Sequence, residues 1–97
     1  MAVLSKILIK EVNATGPITT DNKAGYLHHV IVSGDTAADT VAVTDGATVV
    51  LTLIVPAVSG MVEVKFDEPV FFATDILATV GTSNNVYATF VYQEVEA

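Results

Sequence analysis

His28 and His29 are the only histidines in the chain, and they are adjacent. An imidazole could serve as a general base for a hydroxyl nucleophile or as a metal ligand. Both residues fall in an apolar, β-branched stretch that predicts a strand. Neighbours on a strand point to opposite faces, so at most one histidine could serve any one site. Cysteine is absent, which removes thiolate chemistry, disulfides and the thiolate ligand sets of structural zinc. No Gly-x-Ser-x-Gly turn presents a nucleophile, and no glycine-rich loop is patterned to cradle a phosphate. Asp35, Asp39 and Asp45 flank one predicted strand, while Asp67 and Glu68 sit at a predicted turn. Their spacing is not that of an EF-hand, and they read as turn carboxylates. A glycosidase would need two carboxylates across a cleft, but any acidic sequence offers such pairs. The residue types predict no catalytic group, no cofactor and no metal, and the chain reads as something other than an enzyme.

The same inventory bounds the partners. Eleven acidic residues stand against four lysines and no arginine, for a net charge of −7 over 97 residues. Phosphate neutralisation requires a basic patch, so nucleic acid is not an expected ligand, nor is an anionic membrane surface. No apolar run has the ~20 residues that span a bilayer as a helix. Lys6 and Lys10 interrupt the N-terminal apolar segment, which does not read as a signal peptide. Apolar residues make up 52% of the chain and charged residues 15%, with a mean hydropathy of +0.59. A small single domain, residues 1–97, has much surface for its volume, so such a composition leaves apolar patches outside. Large patches mark contact surfaces, and self-association or docking on a partner is expected.

The elements that position these residues are all strands. Valine, threonine and alanine dominate, no segment keeps a helical apolar period with caps, and turn residues recur at short intervals. The predicted strands are 3–12, 26–33, 41–44, 47–55, 61–66, 69–73, 76–80 and 86–95. The segment 13–23, which holds Gly16-Pro17, reads as a polar loop. This describes an all-β fold: an antiparallel β-sandwich or jelly-roll-like barrel of about seven to eight short strands. Strand 61–66 alternates cleanly, with Val62, Val64 and Phe66 inward and Glu63 and Lys65 outward. A three-residue loop, Thr44-Asp45-Gly46, would pair Val43 with Ala47 and Val41 with Val49, and place Gly46 in the left-handed region. Strands 26–32 and 49–55 are apolar on both faces, as expected of strands that are central or covered by another subunit.

Candidate contact residues follow from that pattern: Leu27, His29 and Ile31 on one face of the second strand, and Phe71 and Phe72 on the short strand after Pro69. Phe71 and Phe72 point opposite ways, so one enters the core and the other is either covered by a loop or anchors an interface. The N-terminal strand within 1–12 is a further candidate for subunit contacts. A pocket around Asn84, Asn85 and Tyr87 would suit a carbohydrate- or receptor-binding module, although that segment is explained as well by turn chemistry.

The succession VAVTDG at 41–46, LIVPA at 53–57, VKFDEP at 64–69, FAT at 72–74, LATVGT at 77–82 and VYATFVY at 86–92 resembles small all-β virion structural proteins of tailed bacteriophages. The similar cadence covers about residues 26–93. The resemblance implies a capsid decoration or cement protein, or a head–tail accessory protein, located in the virion after assembly in the host cytoplasm. It implies a homo-oligomer, a trimer by preference, docked on a major capsid or other virion protein, and it implies no catalytic residues. The inward placement of Val64 is directly testable: Val64→Asp buries an unpaired charge and should abolish the cooperative melt seen by circular dichroism.

Overall fold

The structure, a computed structural model, describes residues 3–20, 23–34, 38–55, 60–82 and 86–96. Eight strands follow in order: β1 (Leu8–Val12), β2 (Gly16–Pro17), β3 (Gly25–Gly34), β4 (Asp39–Asp45), β5 (Thr48–Val55), β6 (Met61–Phe72), β7 (Leu77–Val80) and β8 (Val86–Glu94). They form two four-stranded antiparallel sheets, ordered β1-β8-β3-β6 and β2-β7-β4-β5. Within these, β4 pairs with β5, β3 with β6, β2 with β7 and β1 with β8. The chain is thus one long antiparallel hairpin closed at the β4–β5 turn. It is rolled so that successive strand pairs alternate between the sheets, which defines a jelly roll.

The two inner faces enclose one core. Leu27, Val30 and Val32 of β3 and Val86, Ala88 and Phe90 of β8 face Val41 and Val43 of β4, Leu53 and Val55 of β5 and Ala78 of β7. Full burial of a side chain the size of valine, leucine or phenylalanine contributes roughly 1.5–3 kcal/mol. Val62, Val64 and Phe66 lie inward against this core, while Glu63 and Lys65 are exposed, as their alternation predicts.

The structure departs from the sequence reading at several places. The predicted first strand shortens to β1, because Ser5 replaces ladder bonds: its amide N–H donates to the Glu94 carbonyl, and its hydroxyl accepts from the Glu94 N–H at 2.9 Å. The polar loop contains β2, and its Ile18 and Thr19 are buried. Thr15 extends this short pairing with its side chain, accepting from the Val80 N–H and donating to the Val80 carbonyl. Gly25 starts β3 where the backbone runs too close for a side chain, since a Cβ there would lie 2.7 Å from the Gln93 carbonyl oxygen. The predicted strands 61–66 and 69–73 merge into β6. The pairing on β3 jumps from Lys65↔His29 to Val70↔Leu27, and Pro69, which has no N–H to donate, falls inside the skipped stretch.

The β4–β5 hairpin also differs. Asp45 pairs with Thr48 and Thr44 with Val49, leaving Gly46-Ala47 as a two-residue loop. Gly46 takes φ 60°, as expected, but at the first central position of the loop, where type II′ turns use glycine. This shorter loop would put the apolar faces out of phase. A bulge at Val50 restores them, so that Val43 meets Leu51 and Val41 meets Leu53. Ala47 and Val49 are consequently exposed rather than part of the inner face.

Two turn aspartates tie the hairpin to the β6–β7 connection. Asp45 accepts from the Ala73 N–H at 2.9 Å and the Thr74 N–H at 2.8 Å, and Asp75 accepts from the Gly46 N–H at 3.0 Å. The Thr74 amide, opposed in part by desolvation and aided by Ala73, holds the Asp45 carboxyl below its ordinary value of 3.8. A carboxylate whose folded value is depressed contributes stability above its unfolded value and loses it as pH falls through the folded one. Asp45→Ala should therefore lower the melting temperature by a few degrees at neutral pH, with the difference from wild type shrinking below pH 3.8 in a calorimetric pH series.

Candidate functional site

The outer face of the β1-β8-β3-β6 sheet gathers most of the residues singled out in the sequence. Its geometry depends on a bulge in β3. Leu27 pairs with Tyr92 and His29 with Val91 on β8, so His28 is an extra residue without a partner there. Leu27 and Val30 both point into the core. The two residues between them both turn outward, and the histidines share a face instead of opposing one another. Each has an outer-face partner. Gln93 donates its amide to the Ser5 carbonyl at 2.9 Å, which leaves its oxygen to accept from His28 Nε2 at 2.8 Å. His29 Nε2 lies 2.9 Å from Glu63 Oε2.

The strand registers set the rest of the face in rows. Gln93, Tyr26 and Phe71 form one row, in which the Tyr26 and Phe71 rings meet at a centroid distance of 4.9 Å. Ile9, Val91, His29 and Lys65 form the next, followed by Glu11, Thr89, Ile31 and Glu63. Tyr87, Ser33 and Met61 complete the face. Ile9 is 71% exposed, Met61 67% and Phe71 51%. The described surface has no cleft, and among the described residues no group of three or more His, Asp or Glu side chains converges to hold a metal ion. An open, mixed face of this kind can bind a broad protein surface through apolar contact, with His29–Glu63 and Lys65 supplying polar contacts at its β6 side.

His29, Ile31 and Phe71 lie on this face. Leu27 and Phe72 do not: both are fully buried inside the chain and cannot meet a partner. For Leu27 the cause is the bulge, which reverses the facing of β3 between Leu27 and His29. For Phe72 it is the inward phase of β6, shared with Val62, Val64 and Phe66. In the segment that precedes β1, Val3 and Ile7 are exposed as well. Sequence reasoning passed over Tyr26 and Val91, although period-two alternation along β8, with Phe90 and Tyr92 buried, already directs Val91 outward. Asn84 and Asn85 of the alternative pocket lie outside the described residues, as do residues 35–37 and 56–59 between predicted strands.

No family model matches the chain, and neither does any curated protein. A solved structure shares its fold: a chain from the cryo-EM structure of the virus-like particle of extra small virus (XSV) of the giant freshwater prawn Macrobrachium rosenbergii. The two align with a TM-score of 0.51 over 99% of this chain and 80% of that one, at 12% sequence identity. The likeness is therefore one of fold.

The assignment of inner and outer positions on β3 has a simple check. Leu27→Asp should cost more than about 4 kcal/mol and prevent cooperative folding. Ile31→Lys, at a half-buried outer position opposite Glu63, should stay within about 1 kcal/mol of wild type. Denaturant unfolding of the two variants measures this, and equal damage would show that the phase of the strand is wrong.

Proposed function

We propose that the chain is a non-enzymatic virion structural protein, a capsid decoration or cement protein that docks on an assembled bacteriophage shell through the outer face of its β1-β8-β3-β6 sheet. The observation that carries this reading is the fold: this jelly-roll chain aligns over 99% of its length, with a TM-score of 0.51, to a chain of a virus-like particle. The open face of Ile9, Tyr26, Ile31, Met61 and Phe71 adds to it. A cement subunit works by covering surface, which calls for an open face with exposed apolar side chains rather than for a pocket. The net charge of −7 suits a subunit that waits unassembled beside nucleic acid without binding it. The partner is then the major capsid protein or another shell component, and the site of action is the virion.

The test is sedimentation of particles from the source culture on a density gradient, with the chain located by mass spectrometry. Wild-type protein should band with the particles, and a purified Ile31→Lys variant added to depleted particles should bind at least tenfold more weakly, a loss of about 1.4 kcal/mol. Recovery of the chain only from the soluble fraction would sink the proposal. Specific binding of a sugar by the isolated chain on a glycan array would point instead to a fibre or tail-tip module.

A further inference from the structure

The two sheets have four edge strands, and their chemistry is not alike. An edge exposes unpaired backbone N–H and C=O groups, and proteins blunt it by short strands, charges, prolines or irregular pairing. β2 is two residues long and contains Pro17. β1 carries Lys10 and Glu11, and the Lys10 ammonium caps the Pro17 carbonyl at 3.1 Å. β6 carries Glu63, Lys65, Asp67, Glu68 and Pro69 and breaks its register. All three edges are defended.

β5 is not. Its eight residues, TVVLTLIV, hold no charge and no proline, and residues 46–62 as a whole hold no charge. Its composition is that of a central strand, yet among the described residues it pairs only with β4 and ends its sheet. Among the described residues no backbone hydrogen bond reaches its free side. The bulge at Val50 lies near the turn, so the register from Leu51 to Val55 runs unbroken. Val50 and Ile54 are exposed on the outer side of this edge, Ile54 at 72%.

We propose that the free edge of β5 pairs antiparallel with β5 of a second copy of this chain across a two-fold axis, joining two four-stranded sheets into one of eight strands. Three observations select a second copy. The edge backbone accepts only an extended strand, and an antiparallel pair of identical strands closes on itself about a two-fold. Pairing in a register that keeps faces aligned sets Leu51, Leu53 and Val55 of both copies on the inner side, and Thr52 and Ile54 on the outer side, so each apolar row continues. Two chains of net charge −7 repel least where neither carries charge, and in the β2-β7-β4-β5 sheet the only charges are Asp39 and Asp45 at the ends of β4. This contact gives a dimer, where the bacteriophage resemblance implied a trimer. It uses the sheet opposite the proposed docking face, so it does not depend on that reading.

Thr52 is exposed and lies near the centre of the proposed pairing, opposite its symmetry mate or two residues from it in aligned registers centred on Leu51, Thr52 or Leu53. Light scattering over a concentration series should find wild type as a dimer. Thr52→Lys and Thr52→Glu should each be monomeric at concentrations where wild type is dimeric, with cooperative melts retained, and an equimolar mixture of the two should recover the dimer. A wild-type monomer throughout the series, or a Thr52→Lys variant that remains dimeric, would overturn the proposal. So would recovery of the edge paired only with a foreign strand. An Ile31→Lys variant should stay dimeric, which separates this contact from the docking face.

Discussion

The strands must deliver their apolar side chains to one thin layer between two sheets, and that requirement shapes the irregularities of β3 and β5. Where the sequence keeps a strict alternation, as from Met61 to Phe66, the strand is regular. Where it does not, a residue is looped out to recover the phase. The bulge at His28 lets both Leu27 and Val30 face inward, and the bulge at Val50 corrects the phase left by a two-residue turn. Shifting either register by one residue would turn a row of valines and leucines into water, so the layer, rather than the local turn chemistry, selects the pairing.

The layer's demands have consequences on the outside. The residue extruded from β3 is a histidine, and its neighbour is another, so a correction made for the core places two imidazoles on one outer face. The same pairing rule distributes charge unevenly. β6 and β1 carry charged residues at one pair of edges, whereas β5 at the end of the other sheet carries none. One sheet thus presents a mixed face with polar anchors, and the other presents an uncharged face bounded by a bare edge. Each suits a different kind of contact.

The acidic residues, which dominate the charge of the chain, are used locally. Asp45 and Asp75 bind backbone amides across the hairpin and the β6–β7 connection, and Asp39 accepts from the Thr82 N–H at 2.8 Å. At the end of the sandwich the Glu94 carboxylate, itself buried, accepts from the Thr20 N–H at 2.6 Å and fastens the segment after β2 to β8. Carboxylates here satisfy backbone donors that the strands leave unpaired, the role that turn aspartates perform in many β proteins.

The sequence by itself determined the all-β class, the two-sided core, the inward phase of Val62, Val64 and Phe66, and the left-handed Gly46, because alternation and turn residues act within a few positions of one another. The division between Phe71 and Phe72 was legible only as an alternative, since either could have faced the layer. Tertiary structure decided which way β3 faces on either side of His28, which buried Leu27 and brought His29 onto the same face as its neighbour. It also decided that Ile18 and Thr19 enter the core from an apparent loop, and that β5, with the composition of a central strand, stands at an edge. These outcomes rest on pairings between residues far apart in the chain, whose registers are chosen jointly by the shared apolar layer, and no local pattern encodes that choice.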